Sequence, residues 1–191
     1  MQLDRAARTT SIPNQKTFRL AAAPGYHRRM HVRLARQTDA EAIRSIYNAE
    51  VLGSTATFDL VPRTPDEQVE WLAEHQGAYP AIVAVDEEGT VLGFGSLSVF
   101  RDRPAYATTV EDSVYVDSAH RGLGAGRTVL DELIDLATQH GFHCIMARIG
   151  GDNLASIALH EACGFKQAGV EREVGRKFSR WLDVAVLQRM L

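Results

Sequence analysis

Short apolar runs and helical patterns divide residues 31–191 into a regular series of predicted elements. In seven runs, apolar and β-branched residues alternate with polar ones or continue between turn residues, which is typical of β-strands. These runs are 32–34, 80–85, 91–100, 106–116, 142–149, 165–170 and 181–188. In four stretches apolar residues recur at the three- and four-residue spacing of an amphipathic helix. These stretches begin near Thr38, Thr64, Gly126 and Asn153.

The connections between these elements predict the fold class. Asp86–Gly89 joins two strand-like runs as a hairpin would, whereas a helical stretch separates the runs 106–116 and 142–149 as in a strand–helix–strand crossover. Residues 51–63 have no clear period and indicate a loop, and residues 171–180 separate the last two strands. We therefore predict an α/β (α+β mixed sheet) fold of about seven strands and four helices, with helices covering one sheet.

The length and the charge distribution indicate one domain, residues 31–191, that follows a basic N-terminal extension, residues 1–30. The chain has 191 residues, of which 45% are hydrophobic, and this suits a single core over residues 31–191. Residues 1–30 hold six Lys and Arg against one Asp, so they carry +5 while the remainder carries −8. We expect this extension to be disordered or to precede a native start at Met30. It lacks a continuous apolar segment for a secretory signal, and a transit-type peptide stays open.

Other classes of function find little support in the composition. A net charge of −3 gives no polyanion-binding signature over the whole chain, and no run is long and apolar enough for a membrane span. Cys144 and Cys163 lie in apolar patterns and are predicted to be buried free thiols in a reducing compartment, the cytoplasm. The histidines and cysteines show no metal-ligand spacing, so we expect no metal.

The most informative stretch is Arg121–Gly126, which follows a strand-like run and opens a helical pattern that continues to about His140. Its three glycines bring backbone N–H groups within reach of a phosphate, and the first turn of a helix leaves such donors unpaired. A dinucleotide fingerprint would require a glycine where Arg127 stands, and a Walker loop would require Gly-Lys-Ser or Gly-Lys-Thr. The stretch therefore predicts an anion cradle of neither type, although a loop that needs tight turns would also use glycines.

This pattern, R-x-x-G-x-G, resembles the pyrophosphate loop of the GNAT superfamily of acyl-CoA-dependent N-acetyltransferases. The resemblance extends over residues 31–191 and is strongest to the phosphinothricin and methionine sulfoximine acetyltransferase branch. The segments that carry it are Ile46–Asn48, Ser54–Phe58, Thr109–Val116, Arg121–Gly126, Asn153 with Ser156, Leu159–Glu161, Gly164–Phe165, Gly175–Lys177 and Trp181–Asp183. It implies a GNAT-like acyl-CoA N-acyltransferase fold.

The resemblance also implies acetyl-CoA as cosubstrate and assigns residues to it. The pantetheine arm is expected along the backbone of one strand, where the N–H of Val116 could stabilise a developing oxyanion. The pyrophosphate is expected on the glycine loop, with Arg121 and Arg127 as charge partners. The full set of expected cofactor-binding residues is Val114, Tyr115, Val116, Arg121, Gly122, Leu123, Gly124, Ala125, Gly126, Arg127, Asn153 and Ser156.

Two residues match positions that carry catalysis in the family. Glu111 corresponds to the carboxylate that acts as general base on the amine, and by itself a strand Glu would more often simply face solvent. His160 occupies the position from which many members protonate the departing thiolate, although a packed or solvated helix histidine is the alternative. Asp112 departs from the branch, where this position is often His or Ser, and its charge should raise a neighbouring carboxyl pKa.

The acceptor site is expected between two strands and the loop that joins them. Arginines in this loop could hold the acidic groups of an acceptor, whereas Phe100 departs from the Trp usual in the branch. Phe58 and Lys177 are further candidates for the pocket wall or for a partner subunit. The expected substrate-binding residues are Phe100, Arg101, Asp102, Arg103, Tyr106, Glu111, Asp112 and Ser113.

The expected activity is transfer of acetyl from acetyl-CoA to a small-molecule amine acceptor, an amino acid or an analogue such as phosphinothricin, methionine sulfoximine or methionine sulfone. Direct attack in a ternary complex and a homodimer are implied by the same resemblance. Two alternatives stay open. The acceptor could be a polyamine, an aminoglycoside or a protein N-terminus, or the chain could be a non-catalytic acyl-CoA-binding regulator whose basic tail contacts a partner.

Overall fold

A computed structural model of the chain describes residues 17–19 and 29–191, so most of the expectation for residues 1–30 lies outside the described residues. Within the described part, eight strands form one sheet in the order β1-β2-β3-β4-β5-β6-β8-β7. Neighbouring strands are antiparallel except β5 and β6, which are parallel. The strands are β1 Thr17–Arg19, β2 Arg29–Leu34, β3 Ala81–Asp86, β4 Val91–Val99, β5 Thr109–Val116, β6 Cys144–Gly150, β7 Lys166–Lys177 and β8 Arg180–Met190.

Four α-helices in the described residues cover the two faces of this sheet. They are α1 Ala40–Gly53, α2 Pro65–Glu74, α3 Ala125–Gln139 and α4 Leu154–Ala162. The fold class and the single parallel crossover through α3 are confirmed. The seven predicted strands are all present. An eighth strand, β1, comes from the basic extension and pairs with β2.

The two faces have separate cores. On one face, Val129 and Leu133 of α3 belong to a cluster that includes Val110 of β5 and Ile145 of β6. On the other face, α1 and α2 pack on β3 and β4 through a smaller cluster that includes Phe94. Because side chains alternate along a strand, this division decides which residues of β5 face which helices. No helix among the described residues has the length and apolar character that crossing a bilayer requires.

Several boundaries differ from the sequence prediction for identifiable reasons. Helix α1 continues to Gly53 because Val51 is buried, although its segment lacks a clear period. Strand β5 begins only at Thr109, since Pro104–Tyr106 forms a short 3₁₀ turn. Strands β7 and β8 continue through most of residues 171–180 and turn at Phe178 and Ser179, both at positive φ. That hairpin is rich in exposed charges, so its sequence carries no strand-like alternation.

Candidate active site

A cleft opens where β5 and β6 separate. The two strands pair only between Thr109–Glu111 and Cys144–Met146, and beyond Glu111 the described residues show no further pairing between them. The other edge of β5 stays paired with β4 through Val116. A cavity of about 550 Å³ lies beside this free edge, between the glycine loop and the start of α4. It has the form of a slot into which an extended chain could insert as another strand.

The residues expected to bind the cofactor surround this slot with one exception, Leu123, which packs against the larger core. Segment 54–56, which follows α1 and which the sequence did not assign to the cofactor, also lines the slot. The lining residues among those expected are Val114, Tyr115, Val116, Arg121, Gly122, Gly124, Ala125, Gly126, Arg127, Asn153 and Ser156.

The glycine loop leads directly into the N-terminus of α3. Gly122 and Gly124 have φ of 76° and 93°, a left-handed conformation that favours glycine. Gly124 is the N-cap and provides no side-chain cap, and the first turn carries no acidic residue. Ala125 and Gly126 line the slot, so the positive end of the helix and its backbone donors border it. These features suit an anionic pyrophosphate.

Both arginines of the loop already have carboxylate partners within the chain. The guanidinium of Arg121 pairs with Glu50 at the end of α1, and Nε of Arg127 lies 2.8 Å from Oδ2 of Asp131 one turn along α3. Both arginine side chains are about half exposed, which leaves them accessible from the slot. Glu50 also accepts a hydrogen bond from Ser54, so it connects α1, segment 54–56 and the glycine loop.

The N-terminus of α4 forms another wall of the slot, together with the glycine loop. The side chain of Asn153 accepts a hydrogen bond from the backbone N–H of Ser156 at 3.1 Å, so Asn153 is the helix cap. Both residues also line the slot. Asn153 therefore caps α4 and at the same time lies on the wall of the slot, where the resemblance expects the cofactor.

Glu111 lies at the point where β5 and β6 part. The alternation of β5 sends Val110 and Val114 to the face of α3 and α4, whereas Tyr115 packs with α1 and α2. Glu111 is half-buried on the Tyr115 face. Burial raises the pKa of Glu111 above its ordinary value, and the charge of Arg148 opposes this effect only in part. The expected contribution of Asp112 to raising that pKa is also present.

Asp112 and His160 form a buried pair on the opposite face. Nε2 of His160 lies 3.0 Å from Oδ2 of Asp112, and Nδ1 donates to the carbonyl of Ser156 at 2.7 Å. Burial alone would lower the pKa of His160, but the hydrogen bond and charge of Asp112 outweigh it and the pKa is raised. Oδ1 of Asp112 is buried without a hydrogen-bond partner in the described residues.

Asp112 and His160 were both expected in the site, but they lie apart from the other expected residues. Asp112 and His160 are 6% and 3% exposed and do not belong to the lining of the slot. Nε2 of His160 is directed at Asp112 and Nδ1 at the backbone carbonyl of Ser156, so both ring nitrogens have partners within the chain. The acid role of His160 and the substrate role of Asp112 stay predictions, and the observed contacts tie α4 to β5.

The loop between β4 and β5 carries five of the expected substrate residues, Phe100, Arg101, Asp102, Arg103 and Tyr106. The rings of Phe100 and Tyr106 meet edge to face at 5.6 Å, and the guanidinium of Arg101 lies over both. The charge of Arg101 also acts on Glu111, which brings the loop near the catalytic candidate. Asp102 and Arg103 are exposed, whereas Ser113 is half-buried on β5.

Other side chains near these elements were not assigned from the sequence, or were assigned differently. Arg148 of β6 and Glu171 of β7 form an ion pair, and both charges influence Glu111. Lys177 is 4% exposed and donates to the carbonyl of Thr57 at 2.8 Å, so it holds the segment after α1. Phe58 lies over Gly175, where a Cβ would come within 2.1 Å of the ring. These contacts join residues that are far apart in the sequence, so no local pattern indicated them.

Comparisons with known proteins identify the family. The sequence profile of the Acetyltransferase (GNAT) family matches residues 40–165. An L-methionine sulfoximine/L-methionine sulfone acetyltransferase of Salmonella typhimurium is 39% identical over 163 residues, which are 85% of this chain and 95% of that protein.

Solved structures agree with this assignment. A GNAT superfamily phosphinothricin acetyltransferase from Sinorhizobium meliloti, in complex with AcCoA, is 40% identical with a TM-score of 0.82, covering 85% of this chain and 88% of that one. A ribosomal-protein-alanine N-acetyltransferase from Brucella melitensis is 37% identical with a TM-score of 0.81, covering 84% and 99%. The chain therefore belongs to the GNAT family and is an acetyl-CoA-dependent N-acetyltransferase.

Proposed function

We propose that the chain acetylates the α-amine of a small amino acid or amino-acid analogue, with Glu111 as the general base. Phosphinothricin, methionine sulfoximine and methionine sulfone are the leading acceptors, which agrees with the names of two of the relatives. The observation that carries this proposal is the position of Glu111, half-buried at the mouth of the slot with a raised pKa.

The slot has the features that acetyl-CoA requires. The free edge of β5 at Val114–Val116 can pair with the amide groups of a pantetheine arm, and the N-terminus of α3 can hold the pyrophosphate. When bound, acetyl-CoA supplies an activated acetyl thioester. Among the residues of the chain, the N–H of Val116 is the candidate donor to the acetyl oxygen, and one such donor commonly contributes about 3 kcal/mol.

A base is needed because an amino-acid amine is mostly protonated near neutral pH and cannot attack until it loses a proton. A carboxylate whose pKa is raised toward the working pH accepts this proton more effectively than an ordinary Glu. Glu111 meets this condition through its burial at the parting of the strands. The proton moves to a carboxylate oxygen of Glu111 either directly or through one water.

We assign His160 a positioning role. In the described arrangement both ring nitrogens of His160 have partners within the chain, Asp112 and the backbone carbonyl of Ser156. Its hydrogen bond to Asp112 instead holds α4 on β5, and this fixes Asn153 and Ser156 relative to Val116. We propose that water in the open slot relays to the thiolate the proton that the attacking nitrogen loses as the tetrahedral intermediate collapses to the amide.

We also propose that the enzyme works as a cytoplasmic homodimer. Exposed apolar side chains concentrate on the β7–β8 hairpin, where Val174, Phe178 and Trp181 are 53%, 53% and 62% exposed. Such a concentration is typical of a protein–protein surface. The two buried free thiols, Cys144 and Cys163, suit a reducing compartment. Light scattering of the purified chain tests the dimer.

The acceptor class is tested by measuring acetyl-CoA-dependent thiol release with a panel of amines. We expect the highest kcat/KM with methionine sulfone, methionine sulfoximine or phosphinothricin. The panel also contains a polyamine, an aminoglycoside and a peptide with N-terminal alanine, because one structural relative is a ribosomal-protein-alanine acetyltransferase. Preference for one of these would replace the proposed acceptor. Binding of acetyl-CoA without turnover on any amine would indicate a regulator.

A further inference from the structure

Arg148 occupies a position on the same face of the sheet as Glu111. Residues opposite each other in paired strands share a face, and Glu111 lies opposite Met146 of β6. Arg148 follows Met146 by two residues, so it returns to that face about 7 Å further along the strand. There β5 and β6 have already separated, and Arg148 therefore borders the mouth of the slot.

The charges around Glu111 support this placement. Among the charged neighbours that act on the pKa of Glu111, Arg148 has the largest effect, ahead of Asp112, Glu171 and Arg101. Arg148 is also accessible, because 43% of its side chain is exposed. Its guanidinium pairs with Glu171, which reaches it from β7 across β8.

An α-amino acid creates an electrostatic problem at this site. Its amine must approach Glu111, and the carboxylate on the adjacent carbon then approaches the same negative side chain. Like charges at such a distance repel unless a cation lies between or beside them. A guanidinium is well suited, because its planar fork can donate two parallel hydrogen bonds to a carboxylate.

We propose that Arg148 is a specificity-determining residue that binds the α-carboxylate of the acceptor, and that Glu171 is the counterion which this carboxylate replaces. This inference rests on the proposed function and names the contact that selects amino acids over simple amines. It differs from the expectation for Arg101 and Arg103. Arg101 lies over Phe100 and Tyr106 and can meet the acceptor side chain.

The experiment compares methionine sulfone with its carboxamide, which has the same amine and side chain but no carboxylate. For the wild-type protein we expect kcat/KM to favour the acid. In Arg148→Met this preference should fall by about 10- to 100-fold, mostly through a higher KM for the acid. Removing Arg148 also raises the pKa of Glu111, but that change acts on both acceptors and cancels in the ratio.

Two further variants separate binding from a merely structural ion pair. Glu171→Gln frees the guanidinium from its competitor, so KM for the acid should stay equal or decrease. If the pair only stiffened the outer strands, Glu171→Gln and Arg148→Met would instead change the kinetics in the same direction. Arg172→Met is the matched control, because Arg172 is an exposed arginine of β7 that pairs with Asp183. It should leave the preference for the acid unchanged.

The possible failures are distinguishable. A wild-type preference for the acid that persists in Arg148→Met would overturn the role of Arg148 and leave the proposed function intact. If the wild-type protein turns over neither acceptor, the proposed function fails, and calorimetry with methionine sulfone then decides. Weaker binding to Arg148→Met than to wild type supports the carboxylate contact. Equal binding, or no binding to either protein, overturns it.

Discussion

Glu111 and Asp112 are adjacent carboxylates on one strand that face opposite sides of the sheet. Glu111 is half-buried at the parting of β5 and β6, near the cations of Arg148 and Arg101. Asp112 is 6% exposed and lies beneath α4, with its Oδ2 3.0 Å from His160. The period of two along a strand alone separates them.

The surroundings of these two carboxyl groups decide whether the group can take part in catalysis or stabilises the fold. A carboxyl group that is partly desolvated beside an open slot has a raised pKa and can exchange protons. A carboxylate enclosed against an imidazolium has a committed partner, and breaking that pair leaves an uncompensated charge in the interior. We therefore expect substitution of Glu111 to affect turnover and substitution of Asp112 to affect stability.

The largest effect is expected from Asp112→Ala. Loss of the carboxylate leaves His160 buried without its charge partner, which typically destabilises a protein by about 3–5 kcal/mol. Urea denaturation near neutral pH measures this loss. The control is Asp131→Ala, which breaks the exposed pair with Arg127 and should cost about 1 kcal/mol or less. An equal loss of unfolding free energy in the two variants would mean that the buried pair stabilises the fold no more than the exposed pair does.

The next effect is on catalysis. Glu111→Gln removes the base while it preserves the size of the side chain, so kcat should fall about 100-fold or more. Acetyl-CoA binding and the free energy of unfolding should stay near wild type, since Glu111 does not line the slot. Glu70→Gln on the exposed face of α2 is the matched control and should retain full turnover. A variant Glu111→Gln with unchanged turnover would exclude Glu111 from the mechanism.

A smaller effect is a pH dependence of stability that belongs to His160. Its pKa is raised in the folded protein above the ordinary value of 6.5, so the pair contributes fully below that pH. The contribution is lost as pH rises through the raised pKa. The difference in unfolding free energy between wild type and Asp112→Asn should therefore shrink from about pH 6 to about pH 9. A difference that stays constant or grows over this range would contradict a charged pair.

The sequence carried most of the information about the cofactor side. The turn at Gly122–Gly126 and the periodic helix after it are local features, and local patterns predict strand, loop and helix well. The resemblance also implied a pantetheine arm along the backbone of one strand, and the structure places most of the expected residues around the slot beside β5. Only Leu123 points elsewhere, because an apolar side chain beside the first turn of α3 packs into the core.

The other side of the site depends on contacts between distant residues. His160 meets Asp112 across 48 positions and Arg148 meets Glu171 across 23, and no local period encodes either pair. Arg148 in a strand also has the sequence appearance of a solvent-facing residue. The hairpin around Glu173 shows no alternation in the sequence because charged and apolar side chains alike are largely exposed on both of its faces. Register between strands, which sets all these contacts, comes from the assembled sheet.

The most direct test of the division between the two carboxylates is the pH profile of kcat/KM for methionine sulfone. The wild-type protein should lose activity at low pH as Glu111 is protonated, with a midpoint above the ordinary pKa of Glu. Asp112→Asn should keep this acid limb and move it to lower pH, because the charge of Asp112 raises the pKa of Glu111. Glu111→Gln should abolish the limb at that midpoint and leave only the pH dependence that ionisation of the acceptor amine sets. An acid limb that persists in Glu111→Gln and disappears in Asp112→Asn would contradict the assignment of the base.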